Sequence, residues 1–474
     1  MIGDYQNKNE DYRNSIQLFD NKGKRIWIYA VIPYGNLYFW RAVVAIVLVG
    51  LFFLLPHLTH NGHPLFMLNV IERKFILFGK LFTPSDFYIF FLIMVSFMVF
   101  IILFTVVYGR IWCGWLCPQT MFMEIFFRNI EYLIEGNASR RKKRDQGPLN
   151  FDKILRKLLK HIVFMAFSLT IGFGVLAYLK GGSNLRVLLN EGFTAHTSLF
   201  TGWFVLSGVI FLVFSQLREL ACTVVCPYGR LQGALIDTNS IVVSYDYQVG
   251  EQRAPFVKNE NRKASGKGNC VACNKCVTVC PTGIDIRNGA QFECINCGAC
   301  IDACNSVMKR TQQPKGLIKY ASAKSIAENS KWKLSWRMIA YSVLLLLIVS
   351  FLTGFLLTRN DIQTNFTRAA NTMFQNFDSV HVSNIFEVQI TNKSYEDQTI
   401  ELKVLNFDAK IMTSDGSNTV NIGKEERLES ICYVIINKKD ATFNAKKLKI
   451  GVYSNNNLIE TKEVQFIYNF YPKN

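Results

Sequence analysis

The chain has 474 residues, 50% of them hydrophobic, and a formal net charge of +18 at pH 7. So large a hydrophobic share argues against an ordinary soluble protein and places part of the chain in lipid. The positive charge would suit nucleic-acid binding, but most of it lies beside apolar runs. Topology and attraction to anionic lipid explain it better, and we expect no nucleic-acid partner.

The first 36 residues are polar and charged, without an apolar core and cleavage site, so we do not expect a cleaved signal peptide. Five later runs each approach the ~20 residues that cross roughly 30 Å of hydrocarbon. Buried core helices are the alternative, but the second, third and fifth runs carry no charge. Arg41 lies near the start of the first run, where it could extend to the membrane interface. The predicted spans are 37–55, 87–108, 162–179, 199–217 and 338–357.

Lys and Arg are distributed unequally between the segments that join these spans. The segments with "RRKKR" at 140–144 and "NRKASGKG" at 261–268 are basic, whereas 56–86 and 180–198 carry few basic residues. The positive-inside rule then predicts a multi-pass protein with a cytoplasmic N-terminus and an external C-terminus. In a bacterium the membrane would be the inner one. Twelve of the thirteen cysteines fall on the cytoplasmic side, where thiols stay reduced, so metal ligation is expected.

Two cysteine runs with identical spacing carry the strongest motif. Residues 270–280 read "CVACNKCVTVC", followed by Pro281, and residues 294–304 read "CINCGACIDAC". The spacing C-x2-C-x2-C-x3-C is typical of 4Fe-4S clusters, with the fourth cysteine of each run binding the other cluster. Two structural zinc ions are the alternative, although zinc loops usually separate C-x2-C pairs more widely. The predicted ligand sets are Cys270, Cys273, Cys276 and Cys304 for the first cluster, and Cys294, Cys297, Cys300 and Cys280 for the second.

A second cysteine pattern follows two of the spans. The stretches "RIWCGWLCPQT" at 110–120 and "ACTVVCPYG" at 221–229 each give C-x3-C-P at the cytoplasmic end of a span. One helical turn would place both thiols of a pair on one face, and the proline predicts that the helix breaks at the second cysteine. Ordinary buried cysteines are the alternative. Because the pattern occurs twice, we predict a functional metal or redox dithiol site formed by Cys113, Cys117, Cys222 and Cys226.

The C-terminal residues from about 380 to 474 alternate apolar and polar positions in short stretches, as in "FEVQIT" and "IELKVL". This pattern predicts an antiparallel β-sandwich of immunoglobulin-like size. Cys432 is expected to pack inside one of its strands, with a reactive or copper-binding thiol as the alternative. His161 and His196 are isolated candidates for haem ligands, and interfacial residues are the preferred interpretation. The chain shows no glycine fingerprint for a nicotinamide or flavin, so electrons must come from another molecule.

The stretches "CPTGIDIRNG" and "ECINCGACIDAC" resemble the bacterial two-cluster ferredoxin domain, with Asn305 where proline commonly follows the last ligand. Together with "NKGKRIWIYAVIPYGNLYFWR" and "NVIERKFILFGKLFTPSDFY", the motifs resemble the cytochrome c oxidase accessory proteins called CcoG, FixG or RdxA. This resemblance implies maturation of the cbb3-type oxidase through reduction of Cu(II) to Cu(I). It also implies that the four paired cysteines form a copper or redox site, and that oxidase subunits, copper chaperones or copper transporters are partners.

The expected fold is a multi-domain membrane protein with a helical transmembrane bundle of about five spans, a two-cluster ferredoxin domain and a C-terminal immunoglobulin-like β-sandwich. Its function is expected to be cupric reduction, with an unidentified electron donor. A quinol-linked electron relay and a redox-sensing assembly scaffold are the alternatives. The predicted domains are an N-terminal segment 1–36, a four-span membrane domain 37–260, a ferredoxin domain 261–312, a linker 313–337, a fifth span 338–358 and an external domain 359–474.

Overall fold

The computed structural model describes residues 24–60, 63–69, 74–77, 79–82, 86–192, 194–258, 260–262, 264–330, 335–358, 360–369, 373–441 and 445–468. The chain forms two compact units. The first comprises Met1–Asn69 and Phe90–Ser350, and the second comprises Val70–Ile89 and Phe351–Asn474.

In the described part of the chain, five helices are long and apolar enough to cross a membrane, as predicted. They are Asn36–His57, Tyr88–Tyr108, Phe151–Lys180, Thr197–Leu217 and Trp336–Leu357. The third begins ahead of its apolar run because its charged first turns form helix-compatible ion pairs, such as that between Arg156 and Asp152 at 2.7 Å. Arg41 does not extend to the interface; it is only 2% exposed and donates to the carbonyl of Gly114 at 2.6 Å.

Long helices alternate along the chain with short helical segments, several of which contain or adjoin the cysteine motifs. Three further segments, Phe122–Phe127, Val213–Leu217 and Ala221–Val225, wind as π-helix, which often marks functional sites. In chain order the α-helices are α1 (Asn36–Leu54), α2 (Phe87–Tyr108), α3 (Ile111–Trp115), α4 (Pro118–Met121), α5 (Arg128–Glu135), α6 (Ala138–Gln146), α7 (Phe151–Lys180), α8 (Gly182–Glu191), α9 (Thr197–Leu212), α10 (Pro227–Leu235), α11 (Tyr247–Gly250), α12 (Lys275–Thr278), α13 (Ala299–Arg310), α14 (Ala323–Ala327) and α15 (Trp336–Leu357).

The ferredoxin region lies against the membrane helices of the first unit. It contains α12 and α13, and the antiparallel strand pair Val242–Tyr245 with Ile318–Ala321 covers it. The carboxylate of Asp302 on α13 accepts hydrogen bonds from the amides of Leu37 and Tyr38, at 3.3 and 2.8 Å. These are orphan amides at the positive end of α1, so the bond both caps this helix and attaches the ferredoxin region to it.

The second unit contains a β-sandwich with a shared apolar core. One sheet has the strand order Lys410–Thr413, Arg427–Asn437, His381–Asn392, Ile362–Arg368, with Gln375–Asn376 also paired to the third of these. The other has the order Thr419–Ile422, Gln398–Val404, Ala445–Ser454, Asn457–Ile467. All of these pairings are antiparallel, as predicted, although the sandwich already begins at Ile362, ahead of residue 380.

Cys432 is fully buried in the core of this sandwich, which confirms the packing prediction. Burial raises the pKa of its thiol to about 12. The same unit includes the strand pair Lys74–Leu77 with Lys80–Phe82, which comes from the segment before the second span. There Lys393 of the sandwich forms an ion pair with Asp86 at 2.6 Å, and both side chains are buried.

Candidate iron-sulfur and thiol sites

The two ferredoxin loops share one backbone conformation. In each loop the residues on either side of the second cysteine have positive φ angles: 51° and 54° at Ala272 and Asn274, and 52° and 76° at Asn296 and Gly298. Two left-handed residues so close together curl the loop tightly, so successive cysteines turn toward one centre. Asn274 and Gly298 are also the N-cap residues of α12 and α13. The repeat in the sequence is therefore a repeat in the structure.

Two small cavities lie inside this region, and each is lined by one predicted ligand set. The first is lined by Cys270, Cys273, Cys276 and Cys304. The second is lined by Cys280, Cys294, Cys297 and Cys300, and also by Cys276. The fourth cysteine of each run thus reaches the other run's cavity. The residues fit two 4Fe-4S clusters with the crossed ligand sets predicted from the sequence.

The chemistry of these cysteines suits cluster binding. Burial raises the pKa of Cys276 to about 11 and those of Cys294 and Cys304 to about 12, so without metal these thiols stay protonated at neutral pH. Binding of iron must therefore release protons, as is general for thiolate ligands. The Tyr245 hydroxyl donates to Glu251 Oε1 at 3.2 Å and lies beside Cys270. A hydroxyl in this place can turn its proton toward the sulfur of a bound cluster, and hydrogen bonds to sulfur adjust the reduction potential of a cluster.

Asn305 follows the last ligand where proline is common, and the structure shows its effect. Helix α13 continues past Cys304 to Arg310, which a proline would disfavour. The side-chain oxygen of Asn305 accepts from the amide of Gly316 at 3.1 Å. This contact fixes the loop that leads into the strand Ile318–Ala321.

The C-x3-C-P elements break their helices at the second cysteine, as predicted. Cys113 lies on α3 and Cys222 on the π-helical turn Ala221–Val225. Cys117 and Cys226 have extended backbones, with φ and ψ of −66° and 124° and of −72° and 110°, and each precedes a proline that begins the next helix. The two elements therefore have matched geometry as well as matched sequence.

The structure brings the two pairs together. Each of the four thiols lies near enough to the other three for their charges to interact, across both elements. The Cys113 thiol donates to Gln232 Oε1 at 2.9 Å, and burial raises the pKa of Cys113 to about 12. Among the residues that the structure describes, no three His, Cys, Asp or Glu side chains converge on a point that would suit a single metal ion.

Two buried arginines surround these thiols. Arg110 is 4% exposed and donates to the carbonyls of Phe292 and Gly229 and to Gln232 Oε1, and its charge lies close to Cys113. It therefore links both C-x3-C-P elements to the ferredoxin region. Arg41 donates to the Gly114 carbonyl, while its Nη2 is buried without a hydrogen-bond partner. Sequence reasoning missed both roles, although Arg110 opens the first quoted cysteine stretch.

A buried network of ion pairs lies beyond the paired cysteines. Glu131 accepts from both terminal nitrogens of Arg218, at 2.6 and 3.1 Å, and pairs with Arg141 at 3.0 Å. Arg128 joins Glu124 at 2.9 Å and Glu219 at 3.0 Å. Arg141 belongs to the basic stretch 140–144, so part of that positive charge is neutralised inside the protein rather than at the lipid surface. The network connects α5, α6 and the end of the fourth span.

His161 and His196, the candidate haem ligands, lie in separate surroundings. His196 pairs with Glu191 at 2.5 Å, and His161 lies 5.8 Å from the ring of Phe211. Neither belongs to a cluster of metal-binding side chains in the described part of the chain.

Comparison with family models agrees with this architecture. A model described as a 4Fe-4S dicluster domain matches residues 217–323, and a model described as a 4Fe-4S binding domain matches residues 90–144. A third model, for the Ig-like fold at the C-terminus of FixG, matches residues 352–469. With the apolar helices and the two cysteine-lined cavities, these matches define the chain as a membrane-bound iron-sulfur electron-transfer protein.

Comparison with whole proteins identifies the family. Nitrogen fixation protein FixG of Rhizobium meliloti is 30% identical over 449 residues, which cover 85% of this chain and 84% of that protein. Protein RdxA of Cereibacter sphaeroides is 32% identical over 374 residues, or 76% and 78% of the two chains, and RdxB of the same organism is 27% identical over 423 residues, or 86% and 88%. The chain belongs to the FixG/RdxA family of membrane-linked ferredoxins, as its motifs predicted.

Proposed function

We propose that this protein reduces Cu(II) to Cu(I) beside the paired cysteines, and that the Cu(I) supplies the haem-copper centre of a cbb3-type cytochrome c oxidase. The 4Fe-4S clusters, when bound, supply one-electron carriers. Each Cu(I) formed takes one electron from the protein, which must be restored by a reduced soluble electron-transfer protein or by a quinol. The chain's own residues bring the acceptor and the carriers together.

One cavity is the observation that carries this proposal. It is small and is lined by Cys222, Glu124, Glu219 and Arg218, together with Pro281 and Thr282 of the ferredoxin region. Both carboxylates are paired with Arg128, at 2.9 and 3.0 Å, so Cu(II) would compete with this arginine for their oxygens. The soft thiolate of Cys222 favours Cu(I), the reduced product. Pro281 directly follows Cys280, so a small acceptor here would lie beside the second predicted ligand set. We propose copper as a substrate at this place, while a resident copper ion is not required.

The test is anaerobic stopped-flow spectroscopy on the purified protein. The protein is reduced with dithionite, freed of excess reductant and mixed with Cu(II) and a Cu(I)-specific chelator. We expect cluster re-oxidation to match Cu(I) formation in the wild type. A variant with Cys113, Cys117, Cys222 and Cys226 all changed to Ala should lose this activity, whereas Cys432→Ala, the remaining cysteine outside all three sets, should retain it.

Other outcomes would favour the two alternatives. If neither the wild type nor the four-cysteine variant reduces copper, but a quinone analogue re-oxidises both quickly, the protein is an electron relay between quinone and a soluble partner. If cluster loss leaves binding to an oxidase subunit intact and abolishes only its regulation, the protein is a redox-sensing scaffold. The large C-terminal domain favours the accessory function over the relay, because a simple relay does not need an external partner-binding module.

The cellular role requires a separate test. In a strain that lacks this protein, we expect cbb3-type oxidase activity to fall and wild-type protein to restore it, whereas the four-cysteine variant should not. Cross-linking from the C-terminal domain should then capture an oxidase subunit, a copper chaperone or a copper transporter. Full oxidase activity in the deletion strain at limiting copper would contradict this role.

We also propose that the N-terminus and ferredoxin region face the cytoplasm of a bacterial inner membrane and that the C-terminal domain is periplasmic. The basic segments after the second and fourth spans support this orientation. The second unit combines residues 70–89, from between the first two spans, with the domain after the fifth, which agrees with both segments lying on one side of the membrane. These segments lie on the same side only if an even number of spans separates them. Alkaline phosphatase fused to the C-terminus should be active, and a fusion at residue 145 inactive.

A further inference from the structure

We propose that the surface around Cys273, in the ferredoxin region, docks a soluble one-electron carrier protein whose own surface is acidic. The inference names the electron donor, and it rests on the proposed function only in that the protein transfers electrons. It does not depend on copper as the acceptor. We call this surface the basic face; it is formed by the exposed residues within 253–258, 273–275 and 309–319.

Cys273 is the point at which the predicted cluster ligands come nearest to solvent. It is exposed, whereas each of the other seven predicted ligands is buried or half-buried. Asn274, which lines the first cavity with it, is exposed as well. The second ligand set lies beside the membrane motif instead, because Cys113 packs against the apolar cluster that contains Cys297. A soluble donor therefore approaches the first ligand set most closely.

The exposed charges of the ferredoxin region all have one sign. Between Tyr247 and Ala321, every exposed charged side chain that the structure describes is basic. These side chains are Arg253, Lys258, Lys275, Lys309, Arg310, Lys315 and Lys319. The acidic side chains of the same range are paired with bases, as in Glu251, Glu260 and Asp285, or are buried, as in Glu293 and Asp302. A surface of one sign accelerates the approach of a partner of the opposite sign.

Two of these bases directly follow residues that line the first cavity. Lys275 follows Asn274, in the loop that carries Cys273. Lys309 follows Met308, which lines the same cavity from α13. Because lysine side chains are long and flexible, their ammonium groups can pair with carboxylates of a docked protein without a change in the backbone. The positive charge therefore lies where electrons would enter.

The basic face also has an apolar part. Phe256 and Val257 are 44% and 54% exposed. Their loop is held against the first ligand run, because the amide of Ala254 donates to the carbonyl of Cys270 at 3.3 Å. The buried Arg262 donates to the carbonyls of Ala254 and Cys270, each at 3.0 Å, and so fixes the loop in place. Apolar side chains among charged ones are typical of a protein–protein interface, whose centre is apolar and whose rim is polar.

The electron balance of this contact is simple. The reduced carrier loses one electron, and the iron-sulfur group of the first ligand set, when bound, receives it, while no bond in either protein forms or breaks. Interfaces between electron-transfer proteins are small and short-lived, so steering by charge contributes much of their rate. The basic face provides this steering.

The first test measures docking without electron transfer. Oxidised, acidic 2Fe-2S ferredoxin is immobilised, and binding of the full chain is measured in neutral detergent. We expect binding at low ionic strength that weakens at least about tenfold between roughly 50 and 300 mM salt, because salt screens exposed charges. Binding that does not depend on salt, or no binding at low salt, would overturn the proposal.

Variants locate the docking surface. Lys275→Glu combined with Lys309→Glu should weaken binding at least about tenfold at low salt. Lys142→Glu combined with Lys143→Glu is the matched control, because it changes the net charge equally at two exposed bases of α6, outside the ferredoxin region. The control should bind as the wild type does. Equal weakening in both variants would show an effect of overall charge and would overturn the proposal.

Anionic lipid is the other partner that a basic surface attracts, and bilayer composition distinguishes it from a protein. The binding measurement is repeated in nanodiscs of phosphatidylcholine, with and without phosphatidylglycerol. We expect the ferredoxin to bind in both. Binding that phosphatidylglycerol abolishes would show that lipid covers the basic face, and would overturn the proposal.

The second test follows reduction of the protein by stopped-flow spectroscopy, without copper. Reduced ferredoxin should bleach the wild type and the α6 control quickly at low salt, and the Lys275→Glu, Lys309→Glu variant at least about tenfold more slowly. Reduced methyl viologen, a small cation that needs no docking surface, should reduce all three at least equally fast. Equal rates with ferredoxin would overturn the proposal. If the double variant does not fold, the salt dependence of the wild type decides. A failure of cupric reduction would change none of these results.

Discussion

Gly114 and Cys297 lie in direct backbone contact: a Cβ atom added to Gly114 would stand 3.0 Å from both the Cα and the amide nitrogen of Cys297. The same atom would overlap the carbonyl oxygen of Ile295. Gly114 lies between the cysteines of the first C-x3-C-P element, and Cys297 is a predicted ligand of the second cluster. The absence of a side chain at one position therefore sets how closely the membrane motif approaches the ferredoxin loop.

Gly114→Ala should separate these two elements. The added methyl group meets backbone atoms, which cannot rotate away, so we expect a loss of about 1–3 kcal/mol in stability and a slower electron transfer to the acceptor. Gly208→Ala is the matched control, because Gly208 lies on a membrane helix with no atom within 4 Å of an added Cβ. Thermal unfolding in detergent and stopped-flow re-oxidation would measure both effects. Equal behaviour of the two variants would contradict the close approach.

Arg110→Gln should lower the reduction potential of the site at the paired cysteines. Reduction adds a negative charge, and the buried guanidinium beside Cys113 stabilises that charge. Removing it should lower the potential by on the order of 50–100 mV, as expected for a charge several Å away in a partly shielded interior. Arg110→Lys should recover part of the loss.

Redox titration followed by electron paramagnetic resonance would measure this shift. Arg310→Gln serves as the control, because Arg310 is an exposed arginine at the end of α13, where solvent screens its charge. A shift of the same size in both variants would show that Arg110 acts through the overall charge of the protein rather than through its contact with Cys113.

Tyr245→Phe should act on the first ferredoxin cluster alone. The variant removes the hydroxyl that lies beside Cys270, from which it could donate to the sulfur of a bound cluster, but keeps the ring, which packs in the core of the ferredoxin region. Loss of a hydrogen bond to sulfur makes the reduced state less favourable, so we expect the potential to fall by tens of millivolts. The second cluster is the internal control, and its potential should not change. A shift of both clusters, or of neither, would contradict the assigned hydrogen bond.

The motifs of this chain predicted the local chemistry well because ligand spacing is a local property. C-x2-C-x2-C-x3-C fixes which thiols can reach one cluster, and Pro118 and Pro227 predict where a helix must break. Apolar length predicted the spans for the same reason. The alternation of apolar and polar residues predicted the β-sandwich. Its first strand, Ile362–Arg368, was too polar to be recognised.

The contacts between distant segments could not be read from the sequence. The ion pair of Lys393 with Asp86 joins residues more than 300 positions apart, and no local pattern indicates it. Arg41 was expected at the interface because an arginine in an apolar run usually extends to water. It is buried instead because Gly114 offers a carbonyl inside the protein. Such contacts form only when the whole chain has folded and packed, so no short stretch of sequence indicates them.

Glu131→Gln should reveal how much the buried ion pairs contribute to stability. Burial alone would raise the pKa of Glu131, but Arg218, Arg141 and Lys160 outweigh burial and hold it at about 2, below its ordinary value of 4.5. A carboxyl whose pKa is lower in the folded state stabilises the fold fully above its unfolded pKa, and this contribution is lost as the pH falls toward the folded pKa. The stabilising contribution of Glu131 should therefore be lost as the pH falls from about 4.5 to about 2.

At neutral pH we expect Glu131→Gln to cost about 3–5 kcal/mol, because it leaves buried cations without their partner. Below pH 4.5 the difference from wild type should shrink, because Glu131 takes up a proton in the unfolded state while the folded state keeps it charged down to about pH 2. Glu328→Gln is the control: its pair with Lys324 at 3.9 Å is about half exposed, so the change should be within about 0.5 kcal/mol at every pH. Thermal unfolding in detergent between pH 7 and pH 3 measures all three proteins. A gap between wild type and Glu131→Gln that stayed constant over this range would show that the network stabilises the fold through packing rather than charge.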